Sequence, residues 1–368
     1  MKILTVIGAR PQFIKAAAFS NELLKENQGY ENNLIIEEVI VHTGQHYDLN
    51  MSDIFFDQLS IPKPKYNLGA GGKSQAFVTG TILIKLEQII LDESPDCVLL
   101  YGDTNSTLAG ALCSSKLNIP VVHVEAGLRS FNMKMPEEIN RIITDRLSDL
   151  LFCPSQESVK NLISEGITQG VYVVGDIMLD ASLMFKKIAL NNSQILDDND
   201  LVANNFVLAT FHRAENTDNP LRLAEIIEGI LKINDLDRVV IPLHPRTRRA
   251  LEDNNLIDLL TGLKVIEPVS YFDMITLEES SKVILTDSGG VQKEAFFFST
   301  PCITLRDETE WVETVKEGGN KIVGADSDKI FDAYIGFLNQ PPLENNLEVY
   351  GDGKTAKNII DKLREAYK

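Results

Sequence analysis

Short apolar runs alternate with longer stretches of helical period from one end of the chain to the other. Runs at 3–7, 38–42, 97–101, 121–124, 150–153 and 171–174 predict strands, and a second series follows at 206–210, 238–243, 264–266, 283–286 and 302–305. Between them, 79–91, 136–149 and 221–233 carry apolar residues at helical spacing. Regular alternation of strand and helix predicts an α/β protein with parallel sheets and helices on both faces. Uninterrupted runs, with Val98 as one β-branched example, suit strands covered on both sides. The series divides near residue 175, so two Rossmann-like domains are expected at 1–172 and 173–350. A last helix over 355–367 follows the turn Gly351-Asp352-Gly353, and the polar stretch 191–205 reads as a loop. Two doubly wound halves predict a cleft lined by the carboxyl ends of the strands.

Length and composition agree with that division. The 368 residues are 44% apolar and 24% charged, globular values with room for two cores. The formal charge of −18 argues against nonspecific nucleic-acid or anionic-membrane binding, yet leaves room for an anionic small substrate met by a few local arginines. No run approaches the roughly 20 apolar residues of a membrane span, and no leader is evident. Cys97, Cys113, Cys153 and Cys302 are widely spaced, without a CxxC pair, and are expected to be reduced core thiols of a cytoplasmic protein.

The chemistry-bearing residues cluster where strands end. Gly8-Ala9-Arg10-Pro11 joins the first strand to a helix, placing Arg10 beside a helix start and Lys15 one turn in. Asp103 follows the 97–101 strand, where it is either a helix cap or a site carboxylate. His123 and Glu125 close another strand; a metal pair is disfavoured because no third ligand is apparent. Glu137 and Arg141, four apart in a helix start, have ion-pair spacing. His212 and His244 each adjoin an arginine after a second-series strand, and all five histidines (His42, His46, His123, His212, His244) fall at strand ends, which favours a shared cleft. Thr286-Asp287-Ser288-Gly289-Gly290 turns backbone N–H groups toward an anion, with Glu294 about one turn into the following helix. Gly69-Ala70-Gly71-Gly72-Lys73-Ser74 imitates a phosphate loop, but Asn67 stands at its required first glycine. There is no GxGxxG after the first strand, so a dinucleotide lacks its fingerprint.

Taken in order from residue 1 to the C-terminus, these motifs, with His123-Val124-Glu125-Ala126-Gly127-Leu128-Arg129, Pro136-Glu137-Glu138-Ile139-Asn140-Arg141 and Tyr350-Gly351-Asp352-Gly353, resemble the non-hydrolysing UDP-N-acetylglucosamine 2-epimerases. The resemblance implies the glycosyltransferase-B type of fold, with the active site between the domains and the helix over 351–368 returning to the first. It implies a homodimer acting on a UDP-sugar, with neither metal nor nicotinamide. It also implies inversion of C2 by elimination of UDP to a 2-acetamidoglycal and re-addition, because a C2 that carries nitrogen is not open to direct ketone formation. On the same ground Asp103, Glu125 and Glu137 are the catalytic carboxylates, with the base among them open, and His212 joins them. Arg10, His212, Ser288, Gly289 and Gly290 would hold the diphosphate, Glu294 the ribose, and Tyr271 to Met274 the uracil. Lys15, Arg141, His244 and Arg306 are further site candidates.

Three departures from the family pattern bear on the substrate. Gln12 stands where Glu is usual. The Arg-Glu continuation expected near 43–48 for an allosteric substrate site is absent. Trp311-Val312 stands where the UDP-N-acetylglucosamine enzymes carry Arg-Pro; with Ser130 to Pro136 it is closer to the branch acting on UDP-2,3-diacetamido-2,3-dideoxy-glucuronate, an O-antigen precursor. A retaining glycosyltransferase of the same fold, a hydrolysing relative and a non-catalytic UDP-sugar-binding protein are the competing readings.

Overall fold

The computed structural model describes residues 1–28, 35–44, 61–72, 74–344 and 346–367. They form two compact units, Met1–Ala181 with Glu348–Lys368, and Ser182–Leu347.

In the first unit, β1 (Lys2–Ile7), β2 (Glu37–His42), β3 (Tyr66–Asn67), β4 (Cys97–Tyr101), β5 (Val121–Val124), β6 (Leu150–Cys153) and β7 (Val171–Val173) make one parallel sheet in the order β3-β2-β1-β4-β5-β6-β7. Its helices are α1 (Arg10–Asn27), α2 (Gln75–Glu93), α3 (Asn105–Lys116), α4 (Pro136–Leu147) and α5 (Gln156–Ser164). Leu4, Val6, Val39, Val41, Val98 and Leu100 pack on Val78, Ile82 and Leu86 of α2 in one core cluster, while Ile3 and Leu99 between them are buried too. Sheet residues of both parities are therefore covered, as the apolar runs require. β3 is a two-residue edge strand, too short to leave a period in the sequence.

In the second unit, β8 (Val207–Thr210), β9 (Val239–Pro242), β10 (Lys264–Ile266), β11 (Val283–Thr286), β12 (Cys302–Thr304) and β13 (Asn320–Ile322) form a parallel sheet in the order β10-β9-β8-β11-β12-β13. Val207 and Ala209 face one cluster and Leu208 the other; Val283 and Leu285 alternate with Ile284 in the same way. The edge strand β13 has a polar start and escaped the pattern reading. A long helix α6 (Ile177–Asn192) ends at the start of the stretch expected to be loop and a single turn α7 (Ile195–Asp198) lies within it, while the rest of 191–205 is irregular. The chain passes from one unit to the other inside α6, at Ala181–Ser182, against the expected 172–173. Here Phe185 packs on Tyr271 and Phe272, so α6 contributes apolar contacts to the second unit that polar 191–205 does not advertise.

The remaining helices are α8 (Ala214–Thr217), α9 (Pro220–Asn234), α10 (Pro245–Asp253), α11 (Tyr271–Ser280), α12 (Gly289–Phe297), α13 (Val312–Lys316), α14 (Ser327–Leu338) and α15 (Thr355–Ala366). α9 shows why they form. Asn219 caps it through the N–H groups of Leu221 and Arg222, Pro220 starts it, and Leu223, Ile226, Ile227, Ile230 and Ile233 bury one face. α15 belongs to the first unit, where Glu26 of α1 meets Lys357 (2.7 Å) and Arg364 (3.2 Å). Gly175 and Gly351 let the chain cross itself there: a Cβ on Gly175 would lie 2.9 Å from the Tyr350 carbonyl oxygen. The four cysteines are unpaired and buried; burial pushes Cys97 and Cys302 up to about 12. Among the described residues no helix is long and apolar enough to cross a membrane.

Candidate active site

In each sheet the strand order reverses beside a central strand, between β1 and β4 in one and β8 and β11 in the other. Side chains at the carboxyl ends of such strands are placed for ligands.

The first unit gathers charge where β1, β4 and β5 end. Gln12 ties down the turn into α1: its oxygen accepts from the N–H groups of Gly8 (2.8 Å) and Ala9 (3.1 Å), and its nitrogen donates to the Tyr101 carbonyl (2.8 Å) and Thr107 Oγ1 (3.0 Å). An amide both accepts and donates, which an ionised Glu cannot. Those two backbone N–H groups are thereby occupied, so an anion at this turn would be met by the side chain of half-buried Arg10. Lys15 is buried and paired with Glu125, itself buried and held at φ 73° in the left-handed region. Gly102 leaves room for that pair: a Cβ there would sit 3.1 Å from Glu125 Oε2 and 3.3 Å from Lys15 Nζ.

Asp103 is not a helix cap. Thr104 caps α3, accepting from the Thr107 N–H. The Asp103 carboxylate instead accepts from Arg141 Nε (3.0 Å) and Nη2 (2.9 Å). The expected pairing of Glu137 with Arg141 does not form. Arg141 turns Nη1 to Glu138, which faces inward and also accepts from the Ser130 N–H and hydroxyl and the Phe131 N–H. Half-buried Glu137, one residue earlier on α4, has no hydrogen bond or ion pair among the described residues.

Two histidines do not join these groups. His123 is fully buried, with Nδ1 2.7 Å from Asp145 and Nε2 2.7 Å from the Gly102 carbonyl. Both ring nitrogens are thereby engaged inside the unit. Asp145 in turn accepts from Arg129 (2.7 Å), whose Nε and Nη2 grip Glu165. His42 is buried against Phe13. The sharing of one cleft by five histidines therefore fails for His42 and His123, and His46 lies outside the described residues, as do 45–48 and Lys73.

The second unit assembles its candidates at the ends of β8, β9, β11 and β12. His212 and His244 stack with ring centroids 5.1 Å apart. Burial lowers the pKa of His212; Asp287 opposes this, while Arg213 and Arg246 add to it. Burial, then His212 and Arg246, lowers His244 as well. His244 Nδ1 accepts the Arg246 N–H (3.1 Å), so a neutral His244 ring carries its hydrogen on Nε2. Ser288 caps α12, and the N–H groups of Gly289 and Gly290 have no acceptor among the described residues, an arrangement suited to an anion. Glu294 accepts from the Tyr271 hydroxyl (3.0 Å), so the residues expected at ribose and uracil are neighbours. Half-buried Met274 packs on the core beneath.

Arg306 is 2% exposed, with Nη1 2.9 Å from Glu310, so its charge is committed to an internal pair. Trp311 is buried, with Lys293 Nζ 4.0 Å from its ring centroid and its indole N–H without an acceptor among the described residues. A Cβ on Gly289 would lie 2.8 Å from Glu310 Oε1 and 3.2 Å from Trp311 Nε1, so a side chain at the start of α12 would displace the Glu310 carboxylate. Sequence reading missed Glu138 and Asp287, each of which binds several N–H groups; their signal, an acid beside a chosen residue, is indistinguishable from a surface charge. Among the described residues no three His, Cys, Asp or Glu side chains form a metal-binding group.

The profile of the UDP-N-acetylglucosamine 2-epimerase family matches residues 28–364. A UDP-2,3-diacetamido-2,3-dideoxy-D-glucuronate 2-epimerase from Pseudomonas aeruginosa is 49% identical over 367 residues, covering 99% of both chains. A UDP-N-acetylglucosamine 2-epimerase homolog from Methanococcus maripaludis is 50% identical over 368 residues, again covering 99% of both. The crystal structure of the Methanocaldococcus jannaschii UDP-GlcNAc 2-epimerase in complex with UDP-GlcNAc and UDP is 44% identical, covers 99% of this chain and all of that one, and superposes with a TM-score of 0.90.

Proposed function

Since the chain belongs to the non-hydrolysing UDP-N-acetylglucosamine 2-epimerase family and is thus a UDP-sugar 2-epimerase of glycosyltransferase-B type fold, we propose that its substrate is UDP-2,3-diacetamido-2,3-dideoxy-D-glucuronate, converted to the manno epimer for surface polysaccharide such as O-antigen. The observation that carries this choice is Trp311, the residue of the expected diacetamido branch, which stands beside Gly289 and brings a flat indole whose N–H has no acceptor among the described residues, a partner for the added acetamido group. The 49% identity to the Pseudomonas aeruginosa enzyme supports it. UDP-N-acetylglucosamine is the second reading, supported by the likeness to the Methanocaldococcus jannaschii enzyme.

The reaction begins with loss of the C2 proton to a carboxylate as the C1–O bond breaks and its electron pair leaves with UDP. A C1=C2 double bond remains. UDP then adds back to C1 while a proton reaches C2 on the opposite face. Arg10, Ser288, Gly289, Gly290, His212 and His244 bind the diphosphate and stabilise its growing charge. Glu294 and Tyr271 hold the nucleoside, with Met274 beneath, and Arg306 supports the site through Glu310. Asp103, Glu125 and Glu137 handle the proton. Lys15 and Arg141 orient the first two; Glu137 can exchange a proton without first breaking an ion pair.

Asp103→Asn, Glu125→Gln and Glu137→Gln should each lower kcat by about a hundredfold or more with unchanged circular dichroism. Near-normal turnover in all three would remove the assignment. The protein acts in the cytoplasm, consistent with four unpaired cysteines, and as a homodimer through α2. Phe77, Ile84 and Leu91 stand seven apart on that helix and are exposed by 47%, 75% and 56%, a stripe suited to a second copy.

A further inference from the structure

Asp287 joins the strand ends that carry the second unit's candidate residues. Its carboxylate is wholly buried. It accepts from the His212 N–H (3.1 Å to each oxygen), the Arg213 N–H (3.0 Å) and Asn216 Nδ2 (3.0 Å). Asn216 Nδ2 also reaches the Leu305 carbonyl (2.9 Å), and the Asp287 N–H reaches the Thr210 carbonyl (3.3 Å). The exits of β8, β11 and β12 are thus laced through Asp287 and Asn216. Asp287 is not the cap of α12, a role that Ser288 fills. Its Oδ1 lies 3.9 Å from His212 Nδ1, beyond hydrogen-bond length but close in charge.

Four groups face the His212 ring: Asp287, Arg213, Arg246 and His244. Only the first favours a cation there. We propose that Asp287 is a positioning residue of the reaction: it fixes the His212–Asn216 turn and supplies the counter-charge that lets the His212 ring hold a proton against the diphosphate. The role rests on the proposed nucleotide site.

The test is a double-mutant cycle on the full chain, with UDP as the probe and the His212 ring followed by NMR titration without ligand. Asp287→Asn should raise the Kd for UDP about tenfold and move the His212 midpoint to lower pH. In a His212→Asn background the same change should cost at most about threefold. A purely structural Asp287 would leave the midpoint in place and repeat its full loss in that background, which overturns the proposal. His212→Asn binding UDP as tightly as wild type would contradict the nucleotide site itself, whatever the midpoint does. Should Asp287→Asn fail to fold, Asn216→Ala removes one donor and keeps the charge. It should weaken UDP about threefold with the midpoint unmoved, and unchanged affinity there overturns the turn-fixing role.

Discussion

Glu38 stands on β2 in the sheet of the first unit and accepts from the hydroxyls of Thr5 and Ser20 (2.6 Å each). Burial raises its pKa, with both hydroxyls opposing. A carboxyl raised on folding stabilises fully below its unfolded value of 4.5 and loses that contribution as pH climbs through the folded value. Glu38→Gln, whose amide can still pair with two hydroxyls, should therefore raise Tm at pH 7 and make no difference near pH 4. An equal Tm at both pH values would refute the account. The same scale shows what sequence can reveal. Asp103, Glu125, His212 and Ser288 stood out because polar residues ended apolar runs. That Arg141 would choose Glu138 over Glu137 was not legible, because spacing of three and of four both suit a helical ion pair. Nor was the burial of His123, whose partner Asp145 lies 22 positions away in sequence.

At the scale of elements, interior strands were the easiest to read. β4, β5, β6 and β11 begin and end where the apolar runs do, as does the half-buried edge strand β10. The edge strands β3 and β13 were not legible, β3 because two residues leave no period and β13 because it opens on polar Asn320 and Lys321. α2 carries its own prediction. Its buried face holds Val78, Ile82, Leu86, Ile89 and Ile90, while Phe77, Ile84 and Leu91 remain outside. Beside it a groove of about 390 Å³ is lined by Gly80, Leu83, Leu108 and Ile139. Ile84→Glu should halve the mass in sedimentation without lowering Tm, because the residue is 75% exposed within the chain. A dimer that survives this change would place the contact elsewhere.

At the scale of the whole molecule, the two sheets repeat one plan, with the first strand of each flanked by the second and by a later one. That plan was legible from alternation alone, because parallel strands and their crossover helices each bury apolar residues at their own period. The boundary was less so, because α6 runs through it unbroken and its second half, with Phe185, packs within the second unit. The proposed chemistry rests on motifs at strand ends, with the three proposed acids among those of the first unit and most of the proposed diphosphate ligands among those of the second. The most direct test of that chemistry is proton NMR in D₂O with UDP-2,3-diacetamido-2,3-dideoxy-glucuronate and, separately, UDP-N-acetylglucosamine. The account predicts deuterium at C2 and a manno product, faster with the diacetamido sugar. Absence of exchange with both sugars would contradict it.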